Sequence, residues 1–183
     1  MSAEVGVFCA WRFWYSRGID NGGIPVRVIV TALAALALAG CDDDSKMEAV
    51  CKDIAREASV DPSSLIVNDS KSAKSDMDLS DVYSAISKKY GGNTPIEIAR
   101  ATNALVHREK PPILASVEID YTINTKAGKD RFLARCAFMD GVLPKAVLYS
   151  VKVSGKEFSI DRLHDLFLYV KTPKGLSSDY FLK

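Results

Sequence analysis

Two adjacent prolines, Pro111 and Pro112, divide the sequence into stretches of different hydrophobic period. Proline lacks the amide proton that a helix needs, and its ring disfavours helical backbone in the residue before it, so no helix continues through the pair. Beyond it the apolar residues alternate. In "ILASVEIDYTIN", Val117, Ile119, Tyr121 and Ile123 interleave with Ser116, Glu118, Asp120 and Thr122, which predicts a half-buried strand with one wet face. The turn around Gly128 leads into "RFLARCAFM", where Phe132, Ala134, Cys136 and Phe138 share a face. After Asp140-Gly141, a third strand over about Lys145 to Val153 groups Val147, Tyr149, Val151 and Val153. Past Ser154-Gly155 the spacing becomes helical again through Ile160, Leu163, Phe167 and Val170.

Ahead of the prolines the period is that of helices. Met47, Val50, Cys51, Ile54 and Ala58 recur at three- and four-residue steps, and Ser45 with Glu48 has the spacing of a capping box. That helix ends near Asp61-Pro62. The polar stretch 68–78, "NDSKSAKSDMD", reads as a mobile loop. A second helix carries Val82, Ala85, Ile86 and Tyr90 on one face, takes Ser80 as its cap and stops at Gly91-Gly92. Thr94-Pro95-Ile96-Glu97 opens a third, running to His107. Together these predict an α+β fold: an antiparallel three-stranded meander covered by helices, a single small domain over residues 46–183.

Upstream, Val28 to Gly40 is an apolar run of 13 residues, whereas crossing a bilayer as a helix takes about 20. One reading is a buried core helix. The other is the apolar middle of a secretory signal, with Arg27 as its charged start and small residues at its end. Leu38-Ala39-Gly40-Cys41 resembles the lipobox of bacterial lipoproteins. The resemblance covers about 20 residues. It implies that 26–40 is a signal peptide, that Cys41 is acylated and becomes the first mature residue, and that 41–45 is a short lipidated tether. The protein is then expected on the cell membrane facing the periplasm, with Asp42 tilting the choice toward the inner membrane. Residues 1–25, with Trp11, Phe13, Trp14 and Tyr15, are too long and aromatic for a signal's charged start and read as a misassigned upstream extension. Cys9 belongs to that extension.

From Cys41 onward there remain 143 residues, enough for one core. Acidic and basic residues balance at 21 each after Cys41, so the basic excess that nucleic-acid binding demands is missing and no nucleic-acid partner is expected. Two further cysteines, Cys51 and Cys136, fall on predicted buried faces. In an exported chain the compartment permits oxidation, so a Cys51–Cys136 bridge is expected; two free buried thiols are the other possibility.

Candidates for catalysis are few. His164 has Asp161 three positions before it, close enough along a helix to orient it, but no nucleophile motif and no third ligand accompany them. His107 stands at a predicted helix end, where it meets unsatisfied carbonyls. Glu118 and Asp120 lie two apart on one strand face and could share a site as an acid and a base or hold a cation. No glycine-rich phosphate loop is present, Gly91-Gly92-Asn93 reading as a plain turn, and no cofactor is expected. Two functions follow. The first is a tethered module that presents its sheet or the 68–78 segment to an envelope protein, as an assembly factor, inhibitor or immunity-type protein would. The alternative is a small periplasmic hydrolase or cation-dependent enzyme built on His164, Asp161 or the Glu118 and Asp120 pair.

Overall fold

The structure is a computed structural model that describes residues 42–108 and 110–183. The expectations for 1–25, for the apolar run 26–40 and for Cys41 fall outside the described residues.

Helix α1 (Asp42–Glu57) opens the fold. Met47, Val50, Cys51, Ile54 and Ala55 are all buried, which is the apolar face that the spacing predicts. Residues 42–45, ahead of or at the expected Ser45 cap and within the stretch assigned to a tether, are already helical. Glu48 pairs with Lys52 one turn on, at 2.5 Å.

The α+β class holds, while the three-stranded meander becomes an open five-stranded antiparallel sheet in the order β1-β2-β3-β4-β5. Strand β1 (Ile66–Asp76) occupies the stretch read as a loop. It shows no apolar alternation because it is an edge strand with little buried surface; its order comes from the backbone ladder to β2 (Ile113–Thr125), from Ile66 opposite Thr122 to Asp76 opposite Ile113. A bulge falls between Val67 and Asp69, and there the Asn68 amide donates to Asp120 and Thr122 at 3.0 Å each. Strand β3 (Gly128–Asp140) pairs with β2 along its whole length.

Helices α2 (Leu79–Tyr90) and α3 (Ile96–Ala104) fill the connection between β1 and β2. The first buries Val82, Ala85 and Ile86 and ends at Gly91, whose φ of 57° is the left-handed conformation that glycine adopts without a Cβ penalty. Neither Ser80 nor Thr94 caps these helices: the chain enters them at Asp78 and Pro95, with no side-chain cap bond. A 3-10 turn, Leu105–His107, extends α3 to the predicted end. Met77 N–H donates to Pro112 O at 2.8 Å, so both ends of the 77–112 insertion meet at one end of the sheet.

Strand β4 (Val147–Val153) turns through Ser154-Gly155 into β5 (Lys156–Ser159). Both turn residues have positive φ, 51° and 73°, the primed-turn geometry that closes a two-residue hairpin. The final helix α4 (Leu163–Phe167) is therefore shorter than the spacing from Ile160 to Val170 suggests. Beyond it the C-terminal segment lies along the part of β4 that β5 leaves unpaired, with Leu148 N–H donating to Tyr180 O and Leu182 N–H to Ala146 O, both at 2.9 Å.

Side-chain contacts place α1 along β2 and β3. Asp44 pairs with Lys74 at 2.8 Å near one end of β1, and Cys51 meets Cys136 at mid-sheet. Ser59, just past the helix, lies close enough to Tyr121, farther along β2, to act on its phenol, while its own hydroxyl donates to Ala55 O at 2.6 Å. The odd-numbered residues Ala115 to Ile123 of β2 and the even-numbered Ala134 to Phe138 of β3 are buried on this side. The core therefore lies between α1 and one face of the sheet, and the other face is left to solvent over most of its length.

Candidate functional site

The open face is built from the polar half of each strand's alternation. The register places Lys71, Glu118, Arg135, Lys152 and Glu157 in one row across all five strands, and Ala73, Ser116, Ala137, Ser150 and Ser159 in the next. Charges of both signs thus border a band of short side chains. On the other side of the charged row, Asp120 stands between Asp69 and Leu133, and Leu133 is 49% exposed in polar surroundings.

Glu118 and Asp120 lie on this face, as expected, but the fold does not join them into an acid and base pair. Each is taken by its own arginine from β3. Glu118 accepts from Arg135 Nη2 at 2.5 Å and Nε at 3.2 Å. Asp120 is gripped by Arg131 through Nε at 2.8 and 2.9 Å and through Nη2 as well. Arg131 and then Asn68 hold the Asp120 carboxyl down at about 2. A carboxylate held so far below neutrality stays ionised and makes a poor proton acceptor. Cross-strand pairs of this type stabilise a solvated sheet and fix its register.

His164 is equally occupied. Its Nε2 lies 2.9 Å from Asp165 Oδ1, and its Nδ1 lies 3.1 Å from the backbone oxygen of Asp161. The Asp161 carboxylate instead accepts from Ser159 Oγ at 2.6 Å, so the expected side-chain orientation of His164 by Asp161 is replaced by one through the main chain. The serine donates to the aspartate and not to the histidine, which is not the relay that nucleophilic catalysis uses. Among the described residues, no group of three His, Cys, Asp or Glu side chains could hold a metal ion. No described helix is long and apolar enough to cross a membrane.

The Sγ atoms of Cys51 and Cys136 stand 2.07 Å apart with Cα atoms at 5.7 Å, so the pair lies at disulfide distance as expected. A cleft of about 250 Å³ opens at the far end of α1, lined by Ala58, Ser154, Phe158, Leu166 and Tyr169 among others, with Glu57 and Lys156 at hand. Neither His164 nor the Glu118 and Asp120 pair lines it. Burial pushes the Tyr121 phenol upward, and Ser59 and Ser154 work against that shift.

Three arrangements escaped the sequence reading. Arg131 and Arg135 were legible as wet-face residues of an alternating strand, but their partners depend on the β2–β3 register. Tyr121 comes close to Ser59 and Ser154, residues from two other segments of the chain. Lys89 reaches from the end of α2 over the rings of Tyr90, Tyr180 and Phe181, at 5.7, 5.3 and 4.8 Å, and donates to Asp179 O at 2.5 Å. No local pattern signals such a contact across the chain.

Comparison of the chain with protein-family models, with curated proteins and with solved structures finds no match.

Proposed function

We propose that the chain is a lipid-anchored protein of the bacterial envelope, held by acylated Cys41 and facing the periplasm, with the inner membrane favoured. Its folded body acts as a binding module for another envelope protein, in the manner of an assembly factor, an inhibitor or an immunity-type protein. The lipobox-like Leu38-Ala39-Gly40-Cys41 supports the anchor. The cysteine pair at disulfide distance suits an oxidising compartment.

The observation that carries the binding role is the open sheet face. Five strands present mixed charge, a band of small side chains and an exposed Leu133, a surface with both polar and apolar points of recognition. Two experiments test the proposal. Labelled palmitate is incorporated by the wild type and not by Cys41→Ala, which moves to the soluble fraction; unlabelled wild type found in that fraction refutes the anchor. A photo-crosslinker at Leu133 traps one discrete partner in the envelope, whereas one at Lys126, on the far hairpin, does not; equal trapping at both removes the role of the face.

A further inference from the structure

We infer that the cleft at the far end of α1 is a docking site for a peptide segment of a partner protein that carries one large apolar side chain between a basic and an acidic residue. The site stands apart from the anchor and from the open sheet face, and so goes beyond the role proposed above. Three segments build it: the last residue of α1, Glu57, with Ala58 after it; residues of the β4–β5 hairpin between Val153 and Phe158; and the stretch from Leu166 to Val170 around the end of α4. The floor is apolar, since Val153, Leu166 and Val170 are buried in the core. Each wall is held by the fold. Ala58 N–H donates to Ile54 O at 2.9 Å, Val153 is in register with Lys156 across the hairpin, and the amides of Tyr169 and Val170 donate to Leu166 O at 3.1 and 2.9 Å. The opening therefore exists before anything enters it.

Size, exposure and charge decide what enters. At about 250 Å³ the cleft is smaller than the pockets of about 300–1,000 Å³ that enclose drug-sized ligands, so it takes one side chain and not a cofactor. Tyr169 stands in its lining with 88% of its surface exposed, although the residue after it is buried, and Leu168 beside it is 74% exposed. An aromatic ring kept in water on a fixed backbone is the kind of group that dominates binding at protein interfaces, because it brings a large apolar area at a low entropy cost. Leu168 does not line the cleft, so only an occupant that continues over the rim covers it. Glu57 and Lys156 bring opposite charges to the lining, and among the described residues neither has an ion pair or a side-chain hydrogen bond of its own. A basic residue on one side of the inserted side chain and an acidic residue on the other give each of them a partner, which fixes the identity of the segment more than its affinity.

Fluorescence anisotropy of labelled pentapeptides tests this on the full chain purified in detergent, with micelles alone as the blank. The peptide acetyl-Gly-Lys-Phe-Glu-Gly is expected to bind saturably. Versions with Lys-Phe-Lys or Glu-Phe-Glu at the centre should each bind about two- to fivefold more weakly, the size of one exposed ion pair, and a Lys-Ala-Glu version should show no saturable binding. Reversing one charge of the cleft reverses the ranking: Lys156→Glu is expected to prefer the Lys-Phe-Lys peptide, and Glu57→Lys the Glu-Phe-Glu peptide. Both positions are exposed, so these exchanges leave the core untouched. Tyr169→Ala should weaken binding by about tenfold, while Leu133→Ala on the open face leaves it unchanged. A ranking that ignores the charge reversals, binding that depends on Leu133 and not on Tyr169, or no saturable binding of any peptide overturns the inference. Free phenylalanine that competes as well as the peptide assigns the cleft to a small molecule and overturns it too. Palmitate labelling and crosslinking at Leu133 are unaffected by any of these outcomes, so failure here is distinct from failure of the anchor or of the open face.

Discussion

Asp120 keeps its charge far into the acid range because Arg131 and Asn68 donate to it. Its carboxyl is held at about 2 in the folded chain, against about 3.9 for an unfolded aspartate. A depressed carboxyl contributes stability above its unfolded value, and that contribution is lost as the pH falls from about 4 toward 2. Arg131→Gln should raise the Asp120 value toward the ordinary one, and a carboxyl-carbon NMR titration checks it; an unmoved midpoint would show that Arg131 is not the cause. Lys89 is the basic counterpart. Burial pulls its ammonium down to about 8 and Asp179 works against that shift. A lysine depressed from about 10.4 loses its proton first in the folded chain, so its contribution to stability grows as the pH rises from about 8 toward 10.4. Measured by urea unfolding, the wild type should gain on Lys89→Met between pH 7 and pH 10; a constant difference would contradict the shift. Neither grip was legible in the sequence. Alternation put Asp120 on a wet face, but Arg131 reaches it diagonally from the next strand, and Lys89 meets residues 90 positions away.

At the level of elements, α1 and β3 are tied by Cys51 and Cys136, 85 positions apart. Closing a loop of that length restricts the unfolded chain and stabilises by up to about 4–5 kcal/mol on the chain-entropy model. Replacing both cysteines with alanine should lower the thermal midpoint by many degrees while leaving the helical circular dichroism at low temperature, and thiol counting on the denatured wild type should find neither thiol free. Strand β1 has a different weakness. It is 11 residues long and, as the first strand in the sheet order, pairs only with β2 among the described residues. Exposed Lys71 and Lys74 are the kind of charge that keeps such edges from pairing with other molecules. Lys71→Val combined with Lys74→Val is expected to remain folded but to associate at concentrations where the wild type does not, as read by light scattering. The sequence marked 68–78 as a loop because it lacks a buried face. Its strand character comes from hydrogen bonds to β2, and a composition of serine, lysine and aspartate does not announce them.

For the molecule as a whole, the buried face of α1 begins at Met47 among the described residues, and that face covers β2 and β3. A chain starting at Asp42 should therefore fold and melt as the anchored protein does once both are in detergent, followed by circular dichroism. Removal of 42–57 strips Met47, Val50, Cys51 and Ile54 from the sheet together and should leave no cooperative transition, since several losses of about 2–5 kcal/mol each exceed the stability of an ordinary domain. If the shortened chain still melted cooperatively, α1 would be an accessory and not half of the core.

The sequence by itself determined the α+β class, the buried face of the first helix, the α2 stop at Gly91, the β2–β3 hairpin and the buried positions of the two cysteines. Each of these follows from a residue's own backbone preference or from a periodicity that burial imposes along one segment. Tertiary structure alone decided that β1 and β5 are strands, that Glu118 and Asp120 belong to separate arginines, and that α1 lies along β2 and β3. These depend on partners brought together across the sheet, and the energy of an edge ladder or of a diagonal ion pair is not stored in the local pattern of either partner.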